Sequence, residues 1–144
     1  MSESCCTGGN KVMILSCSGG SNVGQIANQA AIELTQEGKG KLSCLAAIGG
    51  GLSGFVQSAK DLETVVVDGC PVGCAKAIFK KEGIPIKNYL VVTDLDIEKK
   101  PNFDLKRDQI DKTKDAICRF IDGIEDEADD DETSPGCGCS CGCC

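Results

Sequence analysis

Residues 64–74 read Thr64-Val65-Val66-Val67-Asp68-Gly69-Cys70-Pro71-Val72-Gly73-Cys74. A β-branched run of this kind favours a strand, and its lack of polar alternation fits one buried on both faces. Gly69, Pro71 and Gly73 break it, and a helical pattern over 72–82 follows, stopped by Gly83. The same strand–turn–helix unit occurs upstream. Val12-Met13-Ile14-Leu15 is a short apolar run ending at Ser16-Cys17-Ser18-Gly19-Gly20. Ser21 or Asn22 then caps a helix whose Val23, Ile26, Ala27, Ala30, Ala31 and Leu34 form one apolar stripe, with Gly38 as its stop.

Leu42 to Ile48 reads as the second strand, broken by Gly49-Gly50-Gly51. Phe55, Val56, Ala59 and Leu62 mark a helix capped by Ser53. Tyr89-Leu90-Val91-Val92 is the fourth strand, ending at Thr93-Asp94, and Ile110, Ile117, Phe120, Ile121 and Ile124 line a last helix. Strands alternating with helices predict an α/β fold: a small open parallel four-stranded sheet in a flavodoxin- or Rossmann-like three-layer sandwich. Right-handed crossovers favour strand order 2-1-3-4. The ligand crevice of such a sheet lies beyond the carboxyl ends of its strands, at the switch point between strands 1 and 3.

The chain of 144 residues divides into an N-terminal arm (1–10, with Cys5 and Cys6), this α/β body (11–122), an acidic linker (123–136) and a cysteine-rich tail (137–144). The net charge of −7 belongs to residues 123–144, where seven acids meet no Lys or Arg; residues 1–122 balance fifteen acids with fifteen bases. Without a basic patch, nucleic acid and anionic membrane are not expected partners. The start lacks a signal-peptide pattern, and no run approaches the roughly 18 apolar residues of a membrane helix. A cytoplasmic protein is expected, with thiols kept reduced for metal or redox chemistry rather than structural disulfides.

There is no His among the 144 residues and there are 12 Cys. Imidazole-based catalysis and His-ligated zinc are thereby excluded. A transition metal, if bound, is bound mainly through sulfur. Cys17 ends strand 1, Cys44 lies in strand 2, Cys70 follows strand 3 and Cys74 opens the next helix. In order 2-1-3 these strands are neighbours about 4.8 Å apart, so the four thiols can converge on one edge. A tetrahedral Zn²⁺ site needs four such ligands, and helix N-termini near Cys17 and Cys74 would stabilise thiolates. Asp68 and Asp94 stand near enough to serve as hydrogen-bond acceptors around that site. Buried cysteine is also a common core residue, a reading that stays open for Cys44 and is preferred for Cys118.

Gly49-Gly50-Gly51-Leu52-Ser53-Gly54 formally matches the dinucleotide fingerprint G-x-G-x-x-G. That fingerprint belongs on the first strand of a larger sheet, so a tightly packed glycine turn is the preferred reading.

Taken together, Cys17-Ser18-Gly19, Ser21-Asn22-Val23-Gly24-Gln25, Ser43-Cys44-Leu45, Ile48-Gly49-Gly50-Gly51 and Asp68-Gly69-Cys70-Pro71-Val72-Gly73-Cys74-Ala75 resemble the DGC-domain family. That family is named for its Asp-Gly-Cys tripeptide and described as zinc-binding. The resemblance spans about residues 11–122. It implies that Cys17, Cys44, Cys70 and Cys74 are metal ligands, and it implies no particular activity.

Outside the body, Cys137, Cys139, Cys141, Cys143 and Cys144 form Cys-x-Cys repeats similar to those of metallothionein, suited to soft ions such as Zn²⁺ or Cu⁺. The function expected from these observations is metal holding, sensing or transfer through the four body cysteines, with the tail as an auxiliary capture segment. Its partners are the metal ion and a metal- or thiol-exchanging protein, and no enzymatic step is required. Two alternatives use the same thiols: thiol–disulfide exchange or a small enzyme on Cys70 and Cys74, and an iron–sulfur cluster.

Overall fold

The computed structural model describes residues 12–129. The arm with Cys5 and Cys6 and the five tail cysteines lie outside the described residues. In chain order the elements are β1 (Val12–Ser16), α1 (Asn22–Gln36), β2 (Lys41–Leu42), α2 (Leu45–Gly49), α3 (Ser53–Asp61), β3 (Glu63–Asp68), α4 (Cys74–Lys81), β4 (Asn88–Val91), a 3₁₀ turn (Val92–Leu95) and α5 (Arg107–Asp129). The four strands form one all-parallel open sheet in the order β2-β1-β3-β4, as expected.

Strand pleating sends alternate side chains to opposite faces, and each face has its own core. Val12, Ile14, Val65, Val67 and Leu90 pack with the α1 stripe and with Ile110, Ile117 and Ile121 of α5. Met13, Leu15 and Val66 pack with Ile48, Ala59, Ala75, Phe79 and Ile84 on the other face. All six apolar residues of the α1 stripe are fully buried. Ser21 is the cap of α1, its hydroxyl accepting from Gly24 N at 3.4 Å. Cys118 is half-buried against the α1–α5 core, as its preferred packing role requires.

Two stretches differ from the sequence reading. The apolar run 42–48 is not one strand: β2 ends at Leu42, and Leu45–Gly49 is a short helix. A run of this length suits strand or helix equally by periodicity. Ala46 and Ala47 are strong helix formers, and the helix buries Ile48 in the second core. Cys44 therefore caps α2 rather than lying within a strand. Helix α3 begins at Ser53 itself with Leu52 as its cap. The glycine run 49–51 thus joins two helices, which removes the strand context that a dinucleotide fingerprint needs. Helix α5 also continues to Asp129, into the segment read as a linker.

Candidate functional site

The first three strands deliver their carboxyl ends, and their cysteines, to one edge of the sheet. Beyond β1, Cys17 N donates to Val67 O at 2.8 Å, which carries the β1–β3 ladder one residue past the strand and fixes the half-buried Cys17. Beyond β2, Ser43 N donates to Ile14 O at 2.9 Å, and the exposed Cys44 follows. Beyond β3, the chain closes a tight turn in which Gly73 N donates to Cys70 O at 3.1 Å. Pro71 supplies the fixed φ that such a turn favours, and Gly73 takes a left-handed conformation (φ 68°) before α4 starts at Cys74.

Each residue of the Asp68-Gly69-Cys70 tripeptide has a separate duty. Asp68 is 1% exposed, and its carboxylate caps α4 from seven residues upstream. It accepts from Ala75 N at 2.8 Å, Lys76 N at 3.1 Å and the Tyr89 hydroxyl at 2.9 Å. The expected outer-sphere acceptor is therefore already committed to holding the start of α4, and with it Cys74. Gly69 lies against the backbone of α1: a Cβ there would stand 2.7 Å from Gly24 N. A Cβ on Gly24 would in turn stand 2.8 Å from Gly19 N. The three glycines let the loops after β1 and β3 and the start of α1 meet backbone to backbone. Cys70 then presents a half-buried thiol beside the Lys99 ammonium, with Nζ 3.4 Å from Sγ.

Three of the four predicted thiols share one field. Partial desolvation pushes the Cys74 thiol up from its ordinary value, and the negative charges of Cys17, Asp68 and Cys70 push it further. A backbone hydrogen bond at Cys74 itself acts in the opposite direction, and the net push is upward. Cys44 lines a cavity at the ends of β1 and β2 with Ser16 and Ser18. Among the described residues no three Cys, Asp or Glu side chains stand close enough, as they lie, to hold a metal ion between them. Asp94 is exposed in the 3₁₀ turn, and its charge reaches Tyr89.

Three contributors have partners that the sequence did not reveal. Tyr89 closes the Asp68 cap, and its own hydroxyl is pushed up by burial and by that carboxylate. Lys99 comes from a loop 29 residues after Cys70. Asn22 holds that loop. Its amide donates to Glu98 O at 2.9 Å and accepts from Lys100 N at 2.6 Å, and its own N–H donates to Lys100 O at 3.1 Å. The Asp-Gly tripeptide and the Asn at a helix start were the visible hints; their distant partners depend on tertiary packing.

Fold and site together define a small open parallel α/β domain whose strand ends carry thiols. The chain belongs to the DGC-domain family: the family model, DGC domain, matches residues 13–117. It is also similar to the anaerobic and virulence modulator AnvM of Pseudomonas aeruginosa, with 29% identity over 89 residues, covering 61% of this chain and 68% of the relative. No solved structure matches. Among the described residues no helix is long and apolar enough to cross a membrane.

Proposed function

We propose that the domain captures a soft metal ion, Zn²⁺ in the first instance, as cargo to be held, sensed or handed on. Cys17, Cys70 and Cys74 are the first donors, and Cys44 is drawn in as the fourth when the turn at residues 43–44 closes. The observation that carries this reading is the placement of Cys17, Cys70 and Cys74 at two adjacent strand ends, near enough for negative charge on Cys17 and Cys70 to add to the effect of burial in pushing the Cys74 thiol up. A cation placed among them offsets that charge and releases protons as it binds. The donors must move to close on the ion, which suits a transferable cargo better than a structural staple. Of the four thiols only Cys70 packs against either core, at its half-buried margin, so the fold is expected to persist without the ion. The tail cysteines 137, 139, 141, 143 and 144 then serve as a second, weaker store. Similarity to a protein named as a modulator is in keeping with a sensing role.

One observation favours a second reading. Lys99 beside Cys70 suits an attacking thiolate. In that reading Cys70 attacks a disulfide of a partner protein and releases one partner thiolate. Cys74, once deprotonated, attacks Cys70 Sγ and releases the other. Two electrons pass to the partner, and a Cys70–Cys74 disulfide remains.

Metal analysis and an ultraviolet–visible spectrum of the anaerobically purified full chain, followed by Zn²⁺ titration of C70S and C74S, separate the readings. Colourless protein with zinc, and loss of the tightest binding in both variants with the fold retained, is the expected result. Brown protein points to iron–sulfur. Metal-free protein with unchanged zinc affinity in both variants removes the pair from any metal site and leaves thiol exchange.

A further inference from the structure

The lysine at Cys70 is brought there by the fold as well as by the thiol. Lys99 Nζ stands 3.4 Å from Cys70 Sγ. Two residues earlier, Ile97 is buried in the α1–α5 core. On either side of Lys99, Glu98 O and both backbone groups of Lys100 bond to the buried Asn22 at the start of α1. The 3₁₀ turn that leads into this loop is tied to the tripeptide itself, Thr93 N donating to Gly69 O at 3.3 Å. Backbone bonds thus set the Lys99 loop and the Cys70 turn in fixed relation.

The neighbouring charges leave this ammonium to the sulfur. Glu98 pairs with Lys100 at 3.3 Å, so the side chains flanking Lys99 satisfy each other. Among the described residues Lys99 forms no ion pair with a carboxylate. The Asp68 carboxylate, two residues before Cys70, is already met by Ala75 N, Lys76 N and the Tyr89 hydroxyl.

An ion changes what this contact does. A divalent ion held by three thiolates carries one negative charge, and a fourth thiolate raises it to two. An ammonium on one of the sulfurs cancels the first of these charges, and its N–H···S bond stabilises the sulfur electron pairs. Removing a partner of this kind from around a metal's ligands commonly costs about 10–100-fold in affinity. We propose that Lys99 is a positioning residue of the metal site, donating to Cys70 Sγ in the empty and the loaded state and making the complex with Cys17, Cys70 and Cys74 neutral. The three-thiolate complex is then the favoured one. Cys44, whose thiolate adds a charge that nothing balances, is the donor that gives way to a partner's ligand when the ion is handed on. Each thiol that binds gives its proton to water, and no electron is transferred. This inference rests on the metal-capture reading.

The test uses the full chain with C137S, C139S, C141S, C143S and C144S, so that the tail does not compete for the ion. Zn²⁺ affinity is measured by chelator competition. Co²⁺ is the coloured stand-in, and its thiolate-to-metal charge-transfer band reports on the sulfurs. K99M removes the exposed ammonium and keeps its stem, so the fold is retained. It is expected to weaken Zn²⁺ binding about tenfold and to move the Co²⁺ band to longer wavelength, because a sulfur freed of its N–H donor gives up an electron more readily. K99R keeps a charged N–H donor and should hold affinity within about twofold, with the band in place. K100M removes a like charge one residue away, where it pairs with Glu98, and should change affinity by less than about twofold without moving the band. Parental affinity and band position in K99M, while C70S abolishes the tightest binding, overturn the role of Lys99 and leave metal capture standing. Equal weakening in K99M and K100M with an unmoved band overturns it as well, as an effect of surface charge alone. Tight binding that survives C70S overturns metal capture at Cys70 and the part of Lys99 with it.

Discussion

The two flanks of β1 end in cysteines of very different standing. On the β3 flank, Cys70 and Cys74 sit in a turn fixed by the buried Asp68 carboxylate, by the close approach of Gly69 to α1, and by Thr93 N donating to Gly69 O at 3.3 Å. On the β2 flank, Cys44 follows a strand of two residues held by Ser43 N on Ile14 O and by Leu42 N on the Thr35 hydroxyl. One flank is built from buried polar groups and backbone contact, the other from little more than the sheet ladder. The thiols on the β3 flank are thus held by many more ties than the one on the β2 flank.

The comparison breaks most sharply at Asp68. Replacing it by Ala strands Ala75 N, Lys76 N and the Tyr89 hydroxyl. The expected loss is about 3 kcal/mol, read by urea denaturation. C44S on the opposite flank should stay within about 0.5 kcal/mol of wild type in the same measurement. Equal losses would abolish the distinction between the flanks.

G69A forces a methyl group into the backbone of α1 and should cost about 1–3 kcal/mol. It should also weaken zinc binding, because the Cys70 turn is displaced with it. Y89F removes one of the three bonds to Asp68 and should cost about 1 kcal/mol. The charge effects are smaller. The pH midpoint for Cys74 alkylation should lie above that of a free cysteine peptide, and C17S should lower it by removing a like charge. Smallest of all is Glu33, which accepts from Arg107 and Lys114 and so ties α1 to α5 at a partly exposed position. Its carboxyl is held well below the ordinary 4.5, first by the Arg107 hydrogen bonds. Stability from a depressed carboxyl is present above the unfolded value and lost as pH falls through the folded one. E33Q should therefore cost about 0.5–1 kcal/mol near neutrality, and the difference should shrink as the pH drops well below 4.5.

Strand order and the two faces were legible in the sequence because buried parallel strands leave uninterrupted apolar runs and α1 shows a clean helical stripe. The run 42–48 misled because its alanines allow helix as readily as its aliphatics allow strand. That single ambiguity moved Cys44 from a strand interior to a helix cap. The edge shared by the thiols was readable once the order was fixed. Their ties were not: the partners of Asp68, Cys70 and Asn22 lie 21, 29 and 76 residues away. No local pattern encodes such distances.

The brevity of β2 bears on the solubility of the whole sheet. An unpaired outer strand is a template for joining sheets of separate molecules edge to edge. Here that margin offers only Lys41 and Leu42, and Lys41 is exposed. A charged side chain on so short a margin gives an incoming strand few backbone groups to bond and a lysine to desolvate. The feature that leaves the Cys44 flank loosely tied thus also guards this margin against aggregation.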